Sequence, residues 1–228
     1  MPHFYTEPRI TVLARPQFAE PDHLPVQWIG EEVHMRDYLE NIKKQGHGSV
    51  LEHANYSLLL EGISRSLTHE LVRHRAGFAY SQLSQRYVDE SDAAFVVPPA
   101  IIGDEALVTA WKTQIESAQT TYVALVEQLM TRYQWVDDKV HRRKMAREAA
   151  RGVLPNSTET KIVVTGNARA WRTMLELRSS EAAEFEIRRM AIATLRVLQR
   201  EAPAFFSDFE IYVAADRVEA ARIIYHKV

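Results

Sequence analysis

Tyr56-Ser57-Leu58-Leu59-Leu60-Glu61, followed by Gly62-Ile63-Ser64-Arg65, is the stretch on which the reading of the fold turns. Its apolar run predicts a strand. Ser64 is a favourable helix N-cap and Ile63 stands where a hydrophobic staple would, so the spacing predicts a helix over residues 65–75. Within that helix Leu67, Leu71 and Val72 would face a core, which leaves Arg65, His69 and Arg73 at i, i+4 and i+8 on another stripe. Like charges so spaced repel by ~0.2–0.5 kcal/mol per pair, so acids or a bound anion should lie opposite; Glu70 and His74 flank the stripe. The stripe runs into Arg73-His74-Arg75 and then Tyr80-Ser81-Gln82-Leu83-Ser84-Gln85-Arg86-Tyr87, read as the end of the helix and a short loop. Cationic forks, amides, hydroxyls and flat rings are what a nucleotide asks for: phosphate, base edge and base face. Basic residues offsetting a helix macrodipole would explain the cations alone.

Working outward, Arg9–Ala14 reads as a strand, 15–30 as a proline-rich loop, and Glu31–Lys44 as a helix ended by Gly46. Phe95-Val96-Val97 is a short strand stopped by Pro98-Pro99. Residues 105–133 repeat Leu107, Trp111, Ile115, Ala118, Tyr122, Leu125 and Leu129 near helical spacing, and 138–151 is a second helix. Lys161–Thr165 reads as a strand, Asn167 as the cap of a helix to about Leu177, 181–200 as a helix and Phe209–Val213 as a late strand. The expectation is a helix-rich α+β chain, 1–228 forming a single domain with a small mixed or antiparallel sheet.

Composition excludes several classes. The 228 residues include no cysteine, so disulfides, thiolate metal sites and a cysteine nucleophile are ruled out. A net charge of -2 is no footprint of a dedicated nucleic-acid binder. No apolar run is long enough for a membrane span, and Met1–Glu7 lacks a basic and apolar leader, so no secretory signal is expected.

Further candidates lie downstream. Arg143, Arg147 and Arg151 share a second stripe, with Lys144 and Glu148 spaced as a routine surface pair and Arg151 left at an edge by Gly152 and Pro155. Asn167-Ala168-Arg169 opens a helix, where unpaired N–H groups favour anions. Arg178, before Ser179-Ser180, either pairs with Glu181 or Glu184 or is held against an electron-poor heterocycle. His47-Gly48-Ser49-Val50-Leu51-Glu52-His53 is not a recognised metal-ligand spacing and better suits close approach of a phosphate or flavin tail; no metal is expected.

Together these residues resemble the flavin-dependent thymidylate synthases, or thymidylate synthase-complementing proteins. The resemblance runs from about His47 to Phe209. It rests on His47–His53, Gly62–Ser66, Thr68–Arg75, Ser81–Val88, Ala150–Asn156, Thr158–Thr160 and Gly166–Trp171 in that order. One departure is a lengthened loop. Eight residues, Ala76–Leu83, separate Arg75 from Ser84 where the family usually has seven, so the chain should bulge at Gly77.

The resemblance implies a homotetramer whose sites are shared between subunits. It implies conversion of deoxyuridylate (dUMP) to thymidylate (dTMP), with methylenetetrahydrofolate as one-carbon donor, NADPH as reductant and FAD as cofactor, in the cytoplasm. It implies FAD contacts at Ser49, Arg73, His74, Arg75, Gln82, Asn167 and Arg169. It implies deoxyuridylate contacts at Glu70, Arg73, Gln82, Leu83, Ser84, Gln85, Arg86, Arg151 and Arg178, with Arg178 the catalytic arginine at the uracil edge. Because the longer loop leaves room for a 2′-hydroxyl, methylation of uridylate (UMP) stays open. So, on the arginine stripes alone, does a nucleic-acid-binding module.

Overall fold

A computed structural model describes residues 2–16, 23–24 and 33–226. Strands β1 (His3–Tyr5), β2 (Arg9–Ala14), β3 (His23–Leu24) and β4 (Val33–His34) precede helix α1 (Met35–Gln45). A 3-10 turn at Gly48–His53 leads into β5 (Asn55–Ser64), α2 (Arg65–Leu71), β6 (Phe78–Gln82) and β7 (Ala94–Val96). Then come α3 (Glu105–Arg132), α4 (Lys139–Ala150), β8 (Glu159–Asn167), α5 (Ala168–Arg178), α6 (Phe185–Glu201), α7 (Pro203–Phe206), β9 (Phe209–Val213) and β10 (Glu219–Ile223). Among the described residues this is a helix-rich α+β chain, and no helix is long and apolar enough to cross a membrane.

The chain divides into two compact units. The first comprises Met1–Pro8, Glu61–His69 and Gln82–Ile162. In it β1 pairs in parallel with β7, and Phe95, Ala93 and Ile115 form a core against which Phe4, Trp111 and Leu154 pack. Phe4 meets Trp111 edge-on at 5.5 Å. The second unit comprises Arg9–Leu60, Glu70–Ser81 and Val163–Val228. Leu51, Leu58, Trp171, Met174, Leu175, Leu195 and Phe206 are wholly buried there, and β9 pairs antiparallel with β10. Strands β2, β5, β8 and β6 form a sheet in the order β2-β5-β8-β6. In β8 Thr160, Ile162 and Val164 are buried in alternation, the period-2 pattern of a pleated strand.

Several expectations need correction. The helix capped by Ser64 stops at Leu71, so Arg73 is not on it and the three-residue stripe does not exist. The cap itself forms: Ser64 Oγ accepts from Leu67 N at 3.0 Å. Tyr80–Gln82, read as loop, belong to β6. Gly48–His53 form a 3-10 turn, with His47 at its cap, just before β5. The helix expected from Glu31 begins at Met35, because Val33–His34 pair with His23–Leu24; residues 31–32 and most of 15–30 lie outside the described residues. The helix expected from Glu181 starts at Phe185, where Glu184 caps it through Glu186 N and Ile187 N. Strand β10 had no strong signal in the sequence.

Candidate functional site

Asn167 ends β8 and caps α5: its Oδ1 accepts from Ala170 N at 2.8 Å. The cap satisfies one orphan donor and leaves the positive end of an 11-residue helix beside Arg169. Facing it, the turn after α2 brings back Arg75, Ala76 and Gly77. Gly77 adopts φ +75, and a Cβ there would lie 2.8 Å from Asn167 Nδ2 and 2.9 Å from the Ala170 Cβ. The bulge expected at Gly77 is therefore where the backbone turns left-handed, and only glycine fits against the start of α5.

These segments enclose a cavity of about 430 Å³, within the usual range for a ligand pocket. His74, Arg75, Phe78, Asn167 and Arg169 line it, joined by Glu52 and Thr173. Arg169 Nη1 donates to Glu52 Oε1 at 2.6 Å, so the pair neutralises one wall while Arg75 stays exposed on another. The aromatic floor is fixed from below. Phe78 stands edge-on to Trp171 at 5.1 Å and stacks on Tyr80 at 5.8 Å, while Trp171 Nε1 donates to Tyr56 O. The Tyr80 hydroxyl lies 3.0 Å from Leu71 O and 2.6 Å from His74 O. Its single proton serves one of these two carbonyls, in the turn where α2 ends. Burial pushes the Tyr80 phenol up to about 12, so it remains a donor throughout the physiological range.

Arg178, at the last turn of α5, reaches back to the same turn. Its Nη1 donates to Glu70 Oε2 at 2.9 Å and its Nε to His74 Nε2 at 2.8 Å. Neither Glu181 nor Glu184 is its partner, contrary to the local alternative. His74 Nε2 accepts here, so the ring is neutral with its proton on Nδ1. Burial, then the Arg178 charge, holds the imidazole below its ordinary value.

In the first unit a second polar group forms around the end of β6 and the turn after it. Gln82 Nε2 donates to Thr68 Oγ1 at 3.1 Å and Thr160 Oγ1 at 3.3 Å. Leu83 N donates to Lys161 O at 2.9 Å, and Arg65 Nη1 approaches Leu83 O and Thr160 Oγ1 at 3.4 Å. Ser84 begins a tight turn, its carbonyl accepting from Tyr87 N and Val88 N at 3.1 Å. Gln85 is buried with its Nε2 unpartnered among the described residues, a donor with desolvation cost and no return until something polar meets it. Arg86 pairs with Glu148 at 2.8 Å, whereas Lys144, expected to hold Glu148, lies over the Tyr87 ring at 5.1 Å. Arg147 is structural: buried, it donates to Tyr87 O and Asp89 Oδ2. Arg151 is the half-buried C-cap of α4.

The structure thus gathers His74, Arg75, Asn167 and Arg169 on one cavity with Arg178 and Glu70 attached through His74. It gathers Gln82 and Leu83 with Arg65 in the other unit. Ser49 and Arg73 are exposed and are not among the residues lining the cavity. Thr173 and Glu52 were not among the expected site residues, and Tyr80 was read only as a ring of the run after Arg75; the glutamate carried a signal only as a weak metal candidate. Among the described residues no group of three or more metal-ligating side chains occurs.

Residues 5–204 match the family described as thymidylate synthase complementing protein. The chain belongs to this family. Relatives called flavin-dependent thymidylate synthase agree. The protein of Mycobacteroides abscessus is 52% identical over 184 residues, covering 81% of this chain and 73% of the relative. That of Mycobacterium sp. strain JLS is 53% identical over 188 residues, covering 81% and 74%. That of Mycobacterium tuberculosis strain H37Ra is 52% identical over 184 residues, covering 81% and 73%. As a flavin-dependent thymidylate synthase family member, the chain is an enzyme of the methyltransferase class. The cavity suits a flavin cofactor. Its glycine turn, its helix N-terminus, its two guanidinium groups and its Phe78 ring match a phosphate-bearing ring system.

Proposed function

We propose that the enzyme methylates deoxyuridylate at C5 to give thymidylate, taking the one-carbon unit from methylenetetrahydrofolate and reducing equivalents from NADPH, without an enzyme-borne nucleophile. The observation that supports this best is the convergence of His74, Arg75, Asn167 and Arg169 on one cavity, with Arg178 bonded to His74 at its edge. His74, Arg75, Asn167 and Arg169 would hold FAD, joined by Ser49, Arg73 and Gln82. Bound FAD supplies the hydride that completes the methyl group. Glu70, Arg73, Gln82, Leu83, Ser84, Gln85, Arg86 and Arg151 would hold deoxyuridylate, the arginines and Ser84 on its phosphate. Arg178 would lie at the uracil edge and stabilise negative charge there as electron density moves toward C5. With no cysteine in the chain, alignment replaces a covalent anchor.

The site is read as assembled in a homotetramer in the cytoplasm, with residues drawn from more than one copy. Residues 1–228 are read as one functional domain, since β5 and β8 each run through both units.

The deciding measurement is release of the C5 hydrogen from deoxyuridylate when NADPH and methylenetetrahydrofolate are supplied to the flavin-loaded protein. Turnover is expected; none, with flavin demonstrably bound, would overturn the reading. Faster turnover of uridylate would instead make the ribonucleotide the substrate, in keeping with the lengthened Ala76–Leu83 loop. Arg178→Ala should abolish methylation while flavin binding, followed by absorbance, largely survives.

A further inference from the structure

Arg178 is held from two directions by side chains at the end of α2 and in the turn after it, and this governs how the site responds to protons. The Glu70 contact uses Nη1 and the His74 contact uses Nε, different edges of one planar fork. Two anchors on a planar group fix both its position and its tilt, while Nη2 remains without a partner among the described residues. The His74 anchor requires a neutral ring. Its acceptor is Nε2, and a proton there would convert an acceptor into a second cation facing the guanidinium.

We propose that Glu70 and His74 are positioning residues for Arg178, together presenting its Nη2 edge, and that the His74 anchor is a proton-operated latch which opens when Nε2 is protonated. The ionisable groups around His74 are Arg178 and Arg169 from α5, Glu52 from the 3-10 turn, Tyr80 from β6, and Glu70 and Arg75 from its own segment. Glu52 is occupied by Arg169 and Glu70 by Arg178, so neither carboxylate is free to stabilise an imidazolium. Burial and the Arg178 charge act in the same direction, favouring the neutral ring. In the latched state Arg178 is aimed; in acid it loses one of its two anchors and its tilt.

This proposal gives the proposed methylation its pH response and rests on that function for the kinetic arm only. The other arm uses the purified full chain without substrate. Imidazole nitrogen-15 spectra should give His74 as the Nδ1–H tautomer when neutral, with a titration midpoint below the ordinary 6.5. In Arg178→Gln that midpoint should move up toward 6.5. A neutral ring protonated on Nε2, or a midpoint unmoved by Arg178→Gln, would overturn the latch.

In the kinetic arm, kcat for thymidylate formation should fall on the acid side in the wild type. In His74→Gln the amide oxygen can accept from Arg178 without titrating, and the acid limb should flatten. An acid limb unchanged in an active His74→Gln enzyme would also overturn the proposal. If the wild type forms no thymidylate, the functional reading fails, while the spectra still decide the latch.

Discussion

Glu90 is a carboxyl group with only 7% of its surface exposed. Burial raises its pKa to about 7 against the pull of Arg65 and Arg147, helped by the neighbouring charges of Glu159 and Asp89. The folded chain therefore keeps a proton that the unfolded chain releases near 4.5, and stability falls as pH rises from there through about 7. Replacing it by a neutral isostere removes that penalty. Glu90→Gln should be stabilising relative to wild type by an amount that grows by ~2–3 kcal/mol between pH 5 and pH 8, read from denaturant unfolding at the two values. The same scale explains what sequence could and could not reveal. Ser64 and Asn167 were legible as caps because a cap acts within three residues of itself. The partners of Arg178 were not: Glu70 and His74 lie 108 and 104 positions away, and the nearer Glu181 and Glu184 offered a local answer that tertiary structure declined.

At the scale of elements, the informative failure is the end of α2. Arginine is a good helix former, so nothing local in Leu71–Arg75 signals a stop. The stop coincides with Tyr80, whose hydroxyl donates to the carbonyl of Leu71 or of His74, and with Gly77, which turns the chain back. Strand β6 escaped notice because it ends the sheet order and its inward residues, Phe78, Tyr80 and Gln82, are only half-buried and include an amide, so no apolar run marks it. By contrast β2 was readable to the residue from its short β-branched run, and α3 nearly so because its apolar residues recur at helical spacing. A side chain at Gly77 would strain a left-handed backbone and press on the start of α5. Gly77→Ala should weaken flavin binding at least tenfold, measured by titration, with a smaller loss in thermal stability. Unchanged flavin affinity would mean that this turn does not shape the cofactor's cradle.

For the molecule as a whole, the family match over residues 5–204 takes in segments of both compact units. If neighbouring copies share sites, two individually inactive variants should rescue each other. Arg178→Ala and Arg151→Ala subunits, co-refolded, should regain a substantial fraction, up to about a quarter, of wild-type turnover through sites that happen to draw both intact residues. Mixtures no more active than either parent would assign each site to a single chain. The threading has an outcome of its own. The polypeptide alternates between the units, contributing three segments to each. Neither half can be liberated by trimming a terminus or transplanted by end-to-end fusion, so the two must be inherited, synthesised and lost together.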